Sequence, residues 1–98
     1  MQNSEELIKY TLDLMNQNIK EVNEKKIAAY EHMKMMEEKF SFVLSEGYSE
    51  EETARAENDR IEAVKSYKDL CDEETACLTD RNAFLKPLSY KHTVETAE

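Results

Sequence analysis

One glycine, Gly47, stands near the middle of a chain whose apolar residues repeat every seven positions from one end almost to the other. Sheets and tight turns depend on glycine for positive φ, so a chain with a single one is restricted to helices and very few corners. Apolar doublets begin at Leu7, Leu14, Ala28, Met35 and Phe42, and again at Ala63, Leu70, Cys77 and Phe84, with Ala56 in the same phase beside Glu57. The seven-residue phase runs straight through Gly47. Two architectures keep that phase: one rod about 120 Å long, or two helices folded back at the glycine.

The residues around Gly47 favour the hairpin. Glycine is the usual C′ residue after a helix. Two residues later, Ser49 and Glu52 have the spacing of a capping box, and Glu50 and Glu51 suit the positive end of a helix dipole. The expected fold is therefore all-α, an antiparallel coiled-coil-like hairpin in a single domain over 1–86. Helix 1 is expected over about 4–46, capped by Asn3 or Ser4, a turn at 47–48, and helix 2 over about 49–86. Asp80 is a candidate cap for a short third helix ending at Lys86, because "CDEETACLTD" is weak helix in which Thr75, Thr79 and Asp80 offer local backbone bonds. After Pro87 a tail over 87–98 follows, in which Leu88, Tyr90, His92 and Val94 alternate with polar residues at the period of a strand.

On helix 1 the seam reads Ile8, Leu12, Met15, Ile19, Val22, Lys26, Ala29, Met33, Met36, Phe40 and Val43, at alternating spacings of four and three. A second stripe, Leu7, Leu14, Glu21, Ala28, Met35 and Phe42, lies about 100° around the helix from the Ile8 row. On helix 2 the expected seam is Ala54, Ile61, Val64, Cys71, Leu78 and Leu85, with Ala56, Ala63, Tyr67, Leu70, Cys77 and Phe84 beside it. Antiparallel pairing with indices summing to about 97 sets Val43 against Ala54, Met36 against Ile61, Met33 against Val64 and Leu12 against Leu85. It also buries two lysines, with Lys26 opposite Cys71 and Lys68 opposite Ala29, for which Asp69 or Asp72 are the candidate partners. A hairpin with apolar stripes on two sides has a thin core, so a homodimer forming a four-helix bundle is expected to cover the second stripes.

Charge narrows the functional classes. The chain carries a net −9, and residues 49–80 alone carry eleven acids and four bases. That balance repels phosphate backbones and anionic lipid, so neither direct nucleic-acid binding nor membrane binding is expected. The first twenty residues lack a cationic start and an apolar run, and no stretch reaches membrane-spanning length. Cys71 and Cys77 are separated by about 9 Å of helical rise, too far for a disulfide within the helix, which agrees with a reducing cytoplasm.

Chemistry is sparse. A single glycine is incompatible with a P-loop or a dinucleotide fingerprint, and neither HExxH nor the Glu-x-x-His pair of di-iron bundles occurs. Two cysteines six apart do not make a zinc site, and "CDEE" is not an EF-hand. No catalytic residues, cofactor or metal are expected, and the chain is read as a non-enzyme. His32 is read as a helix-surface histidine beside Met33, and Met33, Met35 and Met36 as core filling or an adaptable binding surface.

The function expected from these features is non-catalytic: an acidic helical protein, adaptor or inhibitor, that binds another protein through exposed helix faces. Candidate contact residues are Glu50, Glu51, Glu52, Glu57 and Asp59 for a basic surface, and Leu14, Met35, Phe42 and Tyr67 for apolar contact. An alternative is a phage-type inhibitor in which "SEEETARAENDRIE" imitates the charge of a nucleic-acid strand. A further alternative comes from the corner Ser45-Glu46-Gly47, which with the length and acidity resembles the WXG family of small secreted helical hairpins. Ser45 stands where that family has tryptophan, and Tyr90 is followed four residues on by Val94 rather than an acid. The resemblance implies a secreted hairpin that works with a partner protein.

Overall fold

The computed structural model describes the backbone of residues 2–97 and the side chains of residues 4–88. Two helices make up the fold: α1, Gln2–Glu46, and α2, Glu50–Ala97. They lie side by side as an antiparallel hairpin. The longest dimension is 73 Å, the length of one helix of about 48 residues and half that of a continuous rod of about 96 residues.

The corner follows from its three residues. Gly47 takes φ +72°, the left-handed conformation that a C′ glycine adopts without strain. The Tyr48 N–H then donates to the Val43 carbonyl at 3.4 Å, the six-to-one bond of a Schellman motif. The Tyr48 and Phe42 rings meet at 6.1 Å between centroids, closing the apolar contact that accompanies this motif. On the far side Ser49 caps α2: its Oγ accepts from the Glu52 N–H at 3.2 Å, and its carbonyl accepts from the Thr53 N–H at 2.9 Å.

Burial on α1 matches the expected seam. Val22 and Val43 are buried, and Ile8, Leu12, Met15, Ile19, Lys26, Ala29, Met33, Met36 and Phe40 are half-buried. The second stripe faces solvent throughout.

On α2 the expected seam is corrected by one position. The residues against α1 are Ala56, Ala63, Leu70, Cys77 and Phe84, alternating with Thr53, Arg60, Tyr67, Glu74, Arg81 and Leu88. Ala54 and Ile61 are exposed, and Val64, Cys71, Leu78 and Leu85 lie half-buried along one flank. The physical reason is that α2 approaches α1 through small residues. Ala56 and Ala63 are each only 3% exposed, so the backbones come close and long polar side chains beside them span the gap. Hydropathy alone assigns Arg60, Glu74 and Arg81 to solvent.

Those polar residues form a ladder along the seam. The Arg60 guanidinium sits over the Phe40 ring at 5.2 Å, Tyr67 meets Tyr30 at 5.6 Å, Glu74 bonds Lys26 at 2.8 Å, and Arg81 Nη1 donates to Asn16 Oδ1 at 3.0 Å. Register follows the ladder. The Tyr30–Tyr67 and Asn16–Arg81 pairs have indices summing to 97, as expected, while the Lys26–Glu74 and Phe40–Arg60 pairs sum to 100. The partner of Lys26 is thus Glu74 rather than Asp69 or Asp72, and Lys68 is exposed and needs no partner.

α2 also runs further than expected. It passes Asp80 without a break, so there is no separate third helix, and continues through Pro87 to Ala97. The Thr75 hydroxyl donates to the Cys71 carbonyl at 3.0 Å within the helix instead of ending it, and Leu78, Arg81, Phe84 and Leu85 hold the next turns against α1. Pro87 deprives the Ala83 carbonyl of its helical donor, but Ala83 is exposed and water can serve that acceptor. The backbone at 88–94 is helical where the alternation suggested a strand; the side chains of Tyr90, His92 and Val94 lie outside the described residues.

Candidate interaction surface

With the seam assigned, the remaining faces can be read from their exposed side chains. The most apolar face is the second stripe of α1. Leu7, Leu14, Met35 and Phe42 are 48–65% exposed, and Tyr10, one turn from Leu7, is 61% exposed. Side chains of this size gain about 1.5–3 kcal/mol each on full burial, so a line of them in water is a surface suited to contact. Of the three neighbouring methionines, Met33 and Met36 fill the seam and Met35 points outward.

At the hairpin tip this stripe ends in a cleft of about 470 Å³ lined by Lys39, Phe42, Val43, Tyr48, Arg55 and Ala56, with Glu52 at its edge. The cleft exists because the left-handed turn at Gly47 swings Tyr48 back over Phe42. Tyr48 and Arg55 were not among the candidate residues. The usable signal was the aromatic at the position after a C′ glycine, where Schellman geometry brings it onto the helix just finished.

The acidic candidates lie on the adjoining part of α2. Glu50, Glu51, Glu52 and Glu57 are exposed, and Glu51 is 3.8 Å from Arg55 one turn on. Asp59 is half-buried and lines a shallow cleft with His32, Met36, Lys39, Glu62, Ala63 and Ser66. His32 is exposed. One candidate sits elsewhere: Tyr67 is half-buried in the seam ladder against Tyr30, on a different part of the helix from Leu14, Met35 and Phe42.

Electrostatics is most structured at the middle of the seam. The Lys26 ammonium is held above the usual lysine range, first by its hydrogen bond to Glu74, with burial opposing and the Glu74 charge assisting. Nearby, hydrogen bonding to Cys71 raises the Tyr67 phenol above its usual range. Lys26, Tyr67, Cys71 and Glu74 therefore form a polar layer between the two helices. This layer fastens the two helices across a half-buried stretch of the seam.

Among the described residues no group of three His, Cys, Asp or Glu side chains is placed to hold a metal ion. No helix of the described residues is long and apolar enough to cross a membrane. Cys71 and Cys77 are free thiols. No protein-family model, curated protein or solved structure matches the chain.

Proposed function

We propose that this chain is a non-enzymatic acidic binding protein, an adaptor or inhibitor, whose α2 face meets a basic surface on another protein. The observation that carries the reading is the orientation of acids at the start of α2: Glu50, Glu51, Glu52 and Glu57 all project into solvent beside the tip cleft. They are four of the eleven acids of residues 49–80, which make α2 the strongly negative helix of the pair. Such a face steers a basic partner and rejects acidic ones.

A second reading follows from one further observation. Glu52, Asp59, Glu73 and Asp80 recur at multiples of seven along the same flank of α2, a column of carboxylates on a straight support. A basic groove that ordinarily holds a nucleic-acid strand is the surface such a column would occupy, and the protein would then act by occlusion.

The test is capture on the immobilised full chain, read by mass spectrometry, against the variant Glu50→Lys, Glu51→Lys, Glu52→Lys, Glu57→Lys. The wild type is expected to retain a basic protein that the variant loses, and whose retention falls between 0.1 and 0.5 M salt, as screening requires about a twofold shorter Debye length over that range. Retention by both proteins, independent of salt, would sink the acidic-face reading. Elution of the captured protein by duplex or single-stranded DNA selects the mimic over the adaptor.

A further inference from the structure

We infer that the outer stripe of α1 is a self-interface, on which a second copy of this chain docks with its own α1 parallel and in register. The inference is independent of the acidic face of α2 and concerns the opposite helix.

Surface area leaves room for such a contact. The isolated chain exposes 7878 Å². A compact monomer of 11.5 kDa exposes about 5,800 Å², so this rod carries an excess of about 2,000 Å². A specific interface takes about 800 Å² from each partner, well within that excess. Within the hairpin only Val22, Val43, Ala56 and Ala63 are buried among the described apolar residues, so the intrachain core is thin.

The stripe itself identifies the occupant. Leu7, Leu14, Ala28, Met35 and Phe42 recur at seven-residue multiples along one line of α1, one apolar layer per heptad, a line that a supercoiled partner helix can follow over its length. A globular partner has no reason to match a heptad over the length of a helix, whereas a second α1 matches it by identity. Glu21 is the single polar level, and its carboxylate already accepts from Gln17 Nε2 at 3.2 Å.

Charge sets the direction. On one side of the stripe run Thr11, Asn18, Lys25, His32 and Lys39, and on the other run Tyr10, Gln17, Glu24, Glu31 and Glu38. The acids and bases of these two rows, Glu24, Glu31, Glu38, Lys25, His32 and Lys39, are all exposed. In a parallel pair the two-fold axis runs along the helices, so the basic row of each copy faces the acidic row of its partner. Lys25 then meets Glu24, His32 meets Glu31 and Lys39 meets Glu38, twice over. In an antiparallel pair like rows face each other, with Lys25 on Lys25 and Glu24 on Glu24 at the axis, which is repulsive. The α1–α1 contact also keeps the acidic α2 helices out of the interface.

Sedimentation equilibrium of the full chain tests this. The expected mass is twice 11.5 kDa at high concentration, falling toward 11.5 kDa on dilution. Leu14→Glu with Met35→Glu should stay monomeric with undiminished helical circular dichroism, while Ile27→Glu, exposed but off the stripe, should dimerise as the wild type does. A wild type that remains monomeric at all concentrations overturns the proposal, as does a dimer that survives both glutamates. Direction is read by oxidation in a Cys71→Ser, Cys77→Ser background. Leu14→Cys alone should form a covalent dimer with itself; cross-linking only between Leu14→Cys and Met35→Cys would mean an antiparallel pair and overturn the charge assignment. Should the double glutamate variant lose helix, the cysteine cross-links and the wild-type mass still decide the question.

Discussion

The two helices of this hairpin bury opposite members of the same doublets. On α1 the second residue of each doublet, Ile8, Met15, Ala29, Met36 or Val43, lies on the seam and the first faces water. On α2 the first residue, Ala63, Leu70, Cys77 or Phe84, lies on the seam and the second sits on the flank. The seven-residue phase is shared, but the direction of contact is not. α1 brings volume to the interface through Ile, Met, Val and Phe. α2 brings proximity through alanine and reach through Arg60, Tyr67, Glu74 and Arg81. A common period therefore says that two segments are both helical and both have a side, and leaves open which side.

That difference can be broken from either helix. Adding volume to α2 should be the more damaging change: Ala63→Leu, at a position 3% exposed, forces the helices apart and should cost about 2–3 kcal/mol. Removing volume from α1 should cost somewhat less, with Val22→Ala losing about 1–2 kcal/mol through its cavity. Chemical denaturation of both variants checks the order. A harmless Ala63→Leu would mean that the seam of α2 lies at Val64 and Ile61, as hydropathy alone suggests.

How much was legible beforehand follows from the same contrast. The seam of α1 is legible to the residue, with Lys26 its one irregularity, but the helix begins at Gln2 and runs through Asn3 and Ser4 instead of being capped by either. The corner was readable because Gly47, Ser49 and Glu52 each have a specific backbone role. α2 was misread by one position because Arg60, Glu74 and Arg81 bury their stems and lead their heads to Phe40, Lys26 and Asn16, contacts that depend on the other helix. Tyr67 reads as a surface residue in the sequence for the same reason. The end of α2 was placed too early because Pro87 is an unfavourable residue by local rules, while Phe84, Leu85 and Leu88 lie against α1 on both sides of it.

The polar ladder offers a second, smaller test. Glu74→Ala leaves Lys26 without its partner in a partly buried site, where the two side chains are 26% and 19% exposed, and should lower the melting temperature. Lys26→Met in the same background should recover most of the loss, because the methionine stem occupies the space without a charge. The pH dependence carries a definite sign. Both Lys26 and Tyr67 are raised in the folded state, so their contribution is fully present below their unfolded values near about 10 and is lost as pH rises through the folded ones. Melting temperature should therefore fall above about pH 10 more steeply in the wild type than in the Lys26→Met, Glu74→Ala variant. Parallel curves would mean that the pair contributes nothing through its protonation.

The corner residue gives the effect with the most informative sign. If residues 47 and 48 lay within a continuous helix, replacing Gly47 by alanine would stabilise it by about 1 kcal/mol, because glycine is the poorer helix former. In the hairpin Gly47 holds φ +72°, and an added Cβ meets nothing within 4 Å, so the whole effect comes from the backbone. A non-glycine residue in the left-handed region costs about 1–2 kcal/mol, so Gly47→Ala should destabilise the protein. Gly47→Asn should cost less, since asparagine tolerates this conformation better. The two architectures thus predict shifts of opposite sign from one methyl group, several degrees in melting temperature for a chain of this size. A rise on Gly47→Ala would mean that the corner opens in solution, and with it the tip cleft that depends on Tyr48 folding back over Phe42.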